Sequence, residues 1–222
     1  MTWREENEMG RLRYSVSMSL DGFVAGQDQS ATNPLGVGGH LLHEWMRALA
    51  VWRKEAGLDG GEVNASTAVI ERDDQNVGAI IMGRNMFGGG PGPWRVDPWN
   101  GWWGDNPPFH LPVFVLTHHP RGRLECEGGT TFEFVTDGIT AALDRARDAA
   151  NGMDVAISGG AGVAKQYLAA GLLNDLLLHL VPVFLGAGVR LFDNPALTAI
   201  TLKQESTVQA PGVTHLAYSI AR

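Results

Sequence analysis

The spacing of apolar residues along the chain switches repeatedly between a period of two and a helical period. Residues 14–20 alternate polar and apolar side chains and end at Asp21-Gly22, which is typical of a strand followed by a turn. Apolar residues at helical spacing predict a helix over residues 41–49. Ser66 is the expected N-cap of a short helix over residues 67–76. The same two spacings predict strands at residues 79–82, 113–117, 131–135, 154–158, 176–185, 199–208 and 213–220, a helical turn at 85–87, and helices at 139–149 and 163–170.

The order of these elements predicts an α/β fold. Strands and helices alternate through most of the chain, whereas the last two strands are joined through Ala210-Pro211-Gly212 as an antiparallel hairpin. A sheet that contains both kinds of connection is mixed. With 222 residues, the chain has the length of one large domain. We therefore predict a single domain over residues 11–222, preceded by a flexible polar lead-in over residues 1–10.

Composition narrows the class of function. The formal net charge of −7 argues against a nucleic-acid partner, although a local basic pocket for one nucleotide is compatible with it. The only cysteine, Cys126, lies between Glu125 and Glu127, so we expect neither disulfides nor a cysteine zinc site nor a catalytic thiolate. No apolar run has the length of a signal sequence or a membrane span. These features predict a cytoplasmic protein.

A glycine cluster between a predicted strand and a predicted helix is the clearest chemical motif. The strand at 154–158 ends in Ser158 and runs into Gly159-Gly160-Ala161-Gly162, after which the helical pattern starts. Free backbone N–H groups and the helix dipole favour an anion at such a turn, and glycines allow it to approach closely. The alternative is that the glycines only pack the helix on the strand. The spacing fits neither a Rossmann nor a Walker fingerprint.

Polar side chains follow three other predicted strands. Arg84 follows residues 79–82, Thr117 and His118 end the strand at 113–117, and Asp21 ends the first strand. In an open α/β sheet, ligands lie beyond the carboxyl ends of the strands. Arg84 offers the donors that suit a phosphate monoester, and a carboxylate at Asp21 suits substrate hydroxyls, amines or a proton relay. Taken singly, each residue also fits an ordinary helix start, loop or turn.

Metal chemistry has little support in the sequence. His40 and His43 are three positions apart, whereas His118 and His119 are adjacent and point in opposite directions on an extended chain. No carboxylate at a suitable spacing completes a ligand set. We therefore predict no metal site.

In combination, five segments resemble the dihydrofolate reductase-like superfamily, and more closely the reductase domain of riboflavin-biosynthesis proteins and its stand-alone bacterial relatives. The resemblance extends over about residues 12–220. The segments are residues 17–26 (SMSLDGFVAG), 81–87 (IMGRNMF), 113–120 (VFVLTHHP), 157–163 (ISGGAGV) and 181–192 (VPVFLGAGVRLF). The resemblance implies a three-layer α/β/α fold with a mixed, mostly parallel sheet ending in an antiparallel C-terminal hairpin.

The resemblance also implies an NADPH-dependent reductase. Gly83, Arg84, Thr117 and His118 match the elements that hold the adenosine 2′-phosphate, and Ser158, Gly159, Gly160, Ala161 and Gly162 match the turn that receives the pyrophosphate. Val24, Ala25 and Gly26 match the backbone beside the nicotinamide ring, and Asp21 matches the aspartate that faces the substrate in riboflavin reductases. Hydride transfer to a small heterocycle of the pyrimidine or pterin type is the implied reaction, and a homodimer is the implied assembly.

Departures from the family pattern limit what is implied about the substrate. Inserts at about residues 27–40, 53–78 and 88–110 have no counterpart in the minimal domain. The last of them carries Trp94, Trp99, Trp102 and Trp103, which could stack on a flat ligand or simply pack. The alternative function is a module that binds NADPH, a flavin or a drug without catalysis. The physiological substrate, and whether Asp21 protonates or only orients it, stay open.

Overall fold

Strand β1 (Leu12–Ser19) begins in one compact unit of the chain and ends in another. The computed structural model describes residues 10–30, 32–95 and 99–221. Its first unit contains residues up to Tyr14 and residues 76–173, and its second contains residues 15–75 and the chain from Asn174. The predicted lead-in over residues 1–10 lies, apart from Gly10, outside the described residues. The assignment of residues 11–222 to one domain stays a prediction.

The first unit is built on parallel strands. Their order is β1, β7, β3, β4, β6, with β5 antiparallel at the edge. Strand β3 is buried at five consecutive positions, Gly78 to Met82, as expected for a strand covered on both faces. The strand bounds are β3 Val77–Gly83, β4 Pro112–Leu116, β5 Leu124–Glu125, β6 Thr131–Val135 and β7 Asp154–Ser158.

Helices α4 (Arg84–Phe87), α5 (Gly138–Ala150) and α6 (Ala161–Ala169) connect these strands, and residues 127–129 form a 3₁₀ turn. Helix α5 buries one face through Ala142, Leu143, Ala146 and Ala150, whose spacing follows the helical period. Helix α6 ends as predicted, because Gly171 adopts φ +66° and its amide donates to Leu168 O at 3.0 Å.

The second unit combines an antiparallel sheet with short helices. Strand β11 pairs with both β8 and β10, and β8 lies beside β1. The bounds are β2 Phe23–Ala25, α1 Glu44–Arg47, α2 Ala50–Glu55, α3 Ala65–Asp74, β8 Asp175–Val181, β9 Val189–Arg190, β10 Thr201–Ala210 and β11 Val213–Ala221, with 3₁₀ turns at Gly39–His43 and Pro195–Ala199. The predicted C-terminal hairpin is confirmed, with Ala210 opposite Val213.

Three local predictions for the second unit are wrong. The N-cap of α3 is Asn64, whose side chain accepts from the Ser66 amide, and Thr67 completes a capping box. Residues 53–65 are charged and contain glycines, which predicts a loop, but helix α2 continues into this stretch as far as Glu55. Strand β8 stops at Val181 rather than at residue 185. Pro182 follows it and has no N–H to continue a ladder.

Two histidines face each other inside the second unit. His179 on β8 and His215 on β11 are register partners, and their Nδ1 atoms lie 2.7 Å apart. The outer Nε2 atoms contact Ser15 Oγ at 2.9 Å and Ser66 Oγ at 2.8 Å, and the Trp45 ring packs on both imidazoles. One Nδ1 must donate and the other accept, so this hydrogen bond is lost if both rings are protonated. Burial lowers the pKa of His179 to about 3 and that of His215 to about 4.

This histidine pair predicts a loss of stability in mild acid. An unfolded chain protonates histidine near pH 6.5, whereas the folded pair resists protonation until near pH 4. As the pH falls through that window, the unfolded state binds more protons than the folded state. The free energy of unfolding should therefore decrease, by up to about 1.4 kcal/mol per pH unit for each histidine. Urea unfolding at pH 7.5, 6 and 5 measures this decrease in the free energy of unfolding.

An exposed histidine provides the control for this measurement. His118→Gln should leave the dependence of stability on pH unchanged, because the His118 side chain is exposed to solvent. An equal free energy of unfolding at pH 7.5 and pH 5 in the unaltered protein would contradict a buried neutral pair.

Candidate cofactor-binding residues

The carboxyl ends of β3, β4 and β7 meet at one edge of the first unit's sheet. Gly83 is the register partner of Leu116, and Met82 is the partner of Ser158. The residues that follow these strand ends, Arg84 and Thr117 among them, therefore come together as the sequence predicted. Gly83 itself allows close packing, because a Cβ there would lie 2.9 Å from Val163 Cγ2 on α6.

The Arg84 guanidinium is only partly satisfied by the protein. Its Nε donates to Gly88 O at 3.1 Å and its Nη1 contacts Thr117 Oγ1 at 3.4 Å. Its Nη2 is buried and has no hydrogen-bond partner among the described residues. The guanidinium also stacks on the Trp94 ring, 3.2 Å from the ring centroid. A buried donor without a partner is costly, so this atom marks a place where a ligand acceptor would be stabilising.

A second arginine, Arg121, lies beside the first and was missed at the level of sequence. Its guanidinium donates to Trp99 O and, at 2.6 Å, to Asn100 Oδ1, and it lies 4.8 Å from the Trp94 ring centroid. We call Arg84 and Arg121 the arginine pair. Within the described chain, neither guanidinium contacts a carboxylate. Arg121 lies in a loop after His118-His119-Pro120, and no sequence pattern indicates that it lies beside Arg84, 37 positions away.

The electrostatics of the arginine pair favour an anion. Burial, and then the charge of Arg121, lowers the pKa of Arg84, and burial lowers the pKa of Arg121. Two adjacent cations with only uncharged acceptors repel each other and lose hydration. A dianion with several oxygens would reverse both penalties, because guanidinium groups bind phosphate through parallel hydrogen bonds.

The glycine turn after β7 forms an open helix N-terminus. Gly159 has φ +105°, a left-handed conformation that favours glycine, and a Cβ there would meet Met86 Cβ at 2.7 Å. Tyr14 OH donates to Gly159 O at 3.1 Å and so fixes the turn. Gly160 precedes α6 without a capping side chain, and the space beside Gly160 and Gly162 is open. Uncapped first-turn amides can donate to a ligand oxygen.

Thr117 and His118 differ in their placement. Thr117 is buried, and its Oγ1 accepts from the His119 amide at 3.2 Å in addition to its contact with Arg84. The His118 side chain is exposed. Thr117 therefore holds Arg84 in place, whereas the role of His118 stays a prediction.

Asp21, in the second unit, is held as a carboxylate. Ser19 Oγ and the Leu185 amide donate to Oδ1 at 2.6 and 3.1 Å, and the Gly186 amide donates to Oδ2 at 2.7 Å. These hydrogen bonds, with that of Ser19 the largest contribution, lower the pKa of Asp21. The two carboxylate oxygens offer about four acceptor positions. These hydrogen bonds use three of them, and one position at Oδ2 is left. An ionised group with one remaining acceptor position suits orientation of a substrate donor better than proton donation.

Val24 and Ala25 are buried in β2, which pairs with β9. Their side chains belong to the interior of the second unit. Gly188 comes so close to Ala25 O that a Cβ at position 188 would clash with it. Only their backbone is therefore suited to line a ligand, and that role stays a prediction.

The tryptophan-rich insert is anchored to the first unit. Trp94 Nε1 donates to His119 O at 3.0 Å, and Trp99 Nε1 donates to Phe87 O at 2.9 Å. Trp103 packs against Phe109 and Phe132. Residues 96–98 of the insert lie outside the described part. Trp99 and Trp102 keep 40% and 39% of their surface exposed, so packing accounts for only part of the insert.

Searches for a metal cluster and for a membrane span gave no candidate. Across residues 10–30, 32–95 and 99–221, no three histidine, cysteine or acidic side chains are arranged to hold a metal ion. In the same ranges, no helix has the length and apolar character needed to cross a bilayer.

Comparison with known proteins identifies the fold. Residues 11–216 match the family model described as the RibD C-terminal domain. A putative riboflavin biosynthesis protein from Shewanella sp. PV-4 has a TM-score of 0.60 at 18% identity, covering 96% of this chain and 100% of its own. Saccharomyces riboflavin biosynthesis reductase Rib7 has a TM-score of 0.54 at 14% identity, with 99% and 93% covered. A search of curated protein sequences found no match.

Dihydrofolate reductase from Enterococcus faecalis, solved with NADP(H), has a TM-score of 0.54 at 13% identity, covering 96% of this chain and 98% of its own. The predicted fold class, a dihydrofolate reductase-like α/β fold with a mixed, mostly parallel sheet and an antiparallel C-terminal hairpin, is therefore confirmed.

Proposed function

Because the chain belongs to the RibD C-terminal domain family, we propose that it is an NADPH-dependent reductase. Its substrate is a small heterocycle of the pyrimidine or pterin type, and its reaction is related to the pyrimidine reduction of riboflavin biosynthesis. The observation that carries the cofactor assignment is the buried, unpartnered Nη2 of Arg84 beside the second guanidinium of Arg121.

A 2′-phosphate fits the chemistry of the arginine pair. The 2′-phosphate is a monoester of a secondary hydroxyl and carries about two negative charges. Its oxygens would accept hydrogen bonds from Arg84 Nη2 and from Arg121. With a cofactor that lacks this phosphate, Arg84 Nη2 stays buried without an acceptor, and the charges of the arginine pair are not neutralised. The uncapped first-turn amides of α6 suit the pyrophosphate of the same cofactor, for which Ser158 and residues 159–162 are proposed.

When bound, NADPH supplies a hydride, and the protein's contribution is to position the reacting groups. The substrate-facing residue in this proposal is Asp21. Its ionised carboxylate is fixed by Ser19, Leu185 and Gly186 and offers one acceptor position at Oδ2 to a substrate N–H or O–H. Fixing a substrate group in this way lowers the entropic cost of reaching the reactive geometry. Val24 and Ala25 are the proposed backbone neighbours of the nicotinamide ring.

The substrate class is supported by the family and by the named activity of a relative. Rib7 is named a riboflavin biosynthesis reductase, and the Shewanella protein a putative riboflavin biosynthesis protein. We therefore propose a ribosylaminopyrimidine as the first substrate to test, with pterins second. A homodimer and a cytoplasmic location remain predictions from the sequence.

A turnover assay with labelled cofactor tests the activity. NADPH deuterated at C4 should lose its dihydronicotinamide absorbance in the presence of a ribosylaminopyrimidine or a pterin. The reduced product should then gain one deuterium by mass spectrometry. Tight NADPH binding without deuterium transfer to any member of this panel would favour the alternative, a non-catalytic module that binds NADPH. A yellow protein on purification would point instead to a flavin-binding module.

A further inference from the structure

Two exposed indoles border the arginine pair. Trp99 and Trp102 contact each other edge to face, with ring centroids 4.7 Å apart, and each keeps about two fifths of its surface exposed. We call them the indole pair. A single exposed apolar side chain is ordinary, but two large aromatic rings exposed in mutual contact form an apolar surface that is expensive to keep in water. Such a surface is typical of a site that receives a flat ligand group.

Two residues, Gly88 and Trp99, connect the indole pair with the arginine pair. Both Nε1 atoms of the indole pair lie against Gly88. A Cβ at position 88 would lie 2.7 Å from Trp102 Nε1 and 2.8 Å from Trp99 Nε1. Gly88 O also accepts the hydrogen bond from Arg84 Nε, and Trp99 O accepts one from Arg121. Gly88 and Trp99 therefore connect the exposed rings with the two guanidinium groups.

The covalent structure of the proposed cofactor places a flat ring close to an anion. The 2′-phosphate is attached to C2′ of the ribose, and the adenine to the adjacent C1′. A phosphate bound by the arginine pair therefore keeps the purine within a few bonds of it. The other indoles nearby are less available, because Trp94 is covered by Arg84 and Trp103 packs on Phe132.

We propose, on the basis of the function proposed above, that the indole pair binds the adenine ring of NADPH, with one indole stacked on the base and the other beside it. Trp102 makes the main contact. Trp99 Nε1 is committed to Phe87 O, whereas the Trp102 indole, which packs on Trp99 and against Gly88, has no hydrogen-bond partner among the described residues. The insert at 88–110, which the minimal domain lacks, thus adds a purine-recognition surface to the phosphate site.

Fragments of the cofactor separate the base from the phosphate. The probes are 2′-AMP, which carries both groups, and glycerol 2-phosphate, a secondary monoester with no base. Trp102→Leu removes the flat ring but keeps apolar bulk, and Trp102→Phe keeps a smaller ring. Trp52→Leu, in α2 of the second unit, is the matched control. Circular dichroism and melting temperature establish that each variant is folded.

The expected result is a loss specific to the base. Trp102→Leu should weaken 2′-AMP binding about 10-fold or more, the scale of one base–aromatic stack, while glycerol 2-phosphate competes as well as before. Trp102→Phe should lose less affinity for 2′-AMP, and Trp52→Leu should bind 2′-AMP as the unaltered protein does. In the unaltered protein, 2′-AMP should quench tryptophan emission and glycerol 2-phosphate should not. This comparison requires no variant to fold.

Two other results would overturn the inference in different ways. If Trp102→Leu binds 2′-AMP normally while Arg84→Ala weakens both probes, the indole pair is packing only and the proposed cofactor site stands. If the unaltered protein binds neither probe, the phosphate assignment of the arginine pair fails, and the inference fails with it.

Discussion

Replacing Arg84 with alanine should remove most of the protein's preference for NADPH over NADH. The 2′-phosphate would lose the donor that is buried without a partner, and of the arginine pair only Arg121 would remain. A hydrogen bond to a charged group contributes about 1.5–3 kcal/mol, so the ratio of the two dissociation constants should fall roughly 10- to 150-fold. NADH affinity should change little, because NADH lacks the 2′-phosphate that Arg84 is proposed to bind. Tryptophan fluorescence titration with both cofactors measures the ratio.

Three further variants sharpen this test. Arg121→Ala should act in the same direction, since it removes the other half of the arginine pair. Arg84→Lys keeps the charge without the planar fork and should give an intermediate ratio. Arg145→Ala is the control, because Arg145 already pairs with Glu133 and Asp137 and lies apart from the arginine pair in the chain. An unchanged NADPH to NADH ratio in Arg84→Ala would reject the phosphate assignment.

Replacing Asp21 with asparagine should reduce turnover about 100-fold or more while leaving NADPH affinity within about twofold. A small misplacement of a substrate can cost two orders of magnitude in rate. Asparagine has one oxygen in place of two, so it cannot accept from Ser19, Leu185 and Gly186 together and still offer an ionised acceptor. Steady-state kinetics gives kcat and KM, and fluorescence gives the cofactor dissociation constant.

Ser19→Ala provides the matched comparison for Asp21. The Ser19 hydrogen bond is the largest cause of the lowered pKa of Asp21, so its removal should raise that pKa toward the ordinary value. If activity requires the carboxylate, it is lost as the pH falls through this pKa. The acid limb of kcat/KM should therefore move to higher pH in Ser19→Ala. Equal loss of activity and cofactor binding in Asp21→Asn would show a structural role instead.

The sequence predicted elements well where one local pattern determined them. Strands β6 and β7 lie where the apolar runs at 131–135 and 154–158 placed them, because each run is bounded by turn residues. The N-cap of α3 was misplaced by two residues, since Asn64 and Ser66 are both good capping residues and only the backbone conformation selects between them.

The site was less predictable because its contacts join distant positions. Arg84 and Thr117 could be brought together from sequence, since both follow parallel strands. Arg121 could not, because its place depends on how residues 118–121 fold back over Trp94. Asp21 was identified as a carboxylate at a turn, but its state depends on amides 164 and 165 positions away along the chain. Long-range hydrogen bonds of this kind leave no spacing pattern in a single sequence.

The measurement that tests the central claim most directly is a titration of the unaltered protein with NADPH and with NADH, followed by tryptophan fluorescence. Two adjacent guanidinium groups that lack a carboxylate partner in the described chain, one of them with a buried and unpartnered Nη2, predict tight binding of NADPH and clearly weaker binding of NADH. Equal affinity for the two cofactors would contradict the assignment of the arginine pair to the 2′-phosphate. Binding of neither would leave the glycine turn as a packing feature and would contradict the proposed reductase function.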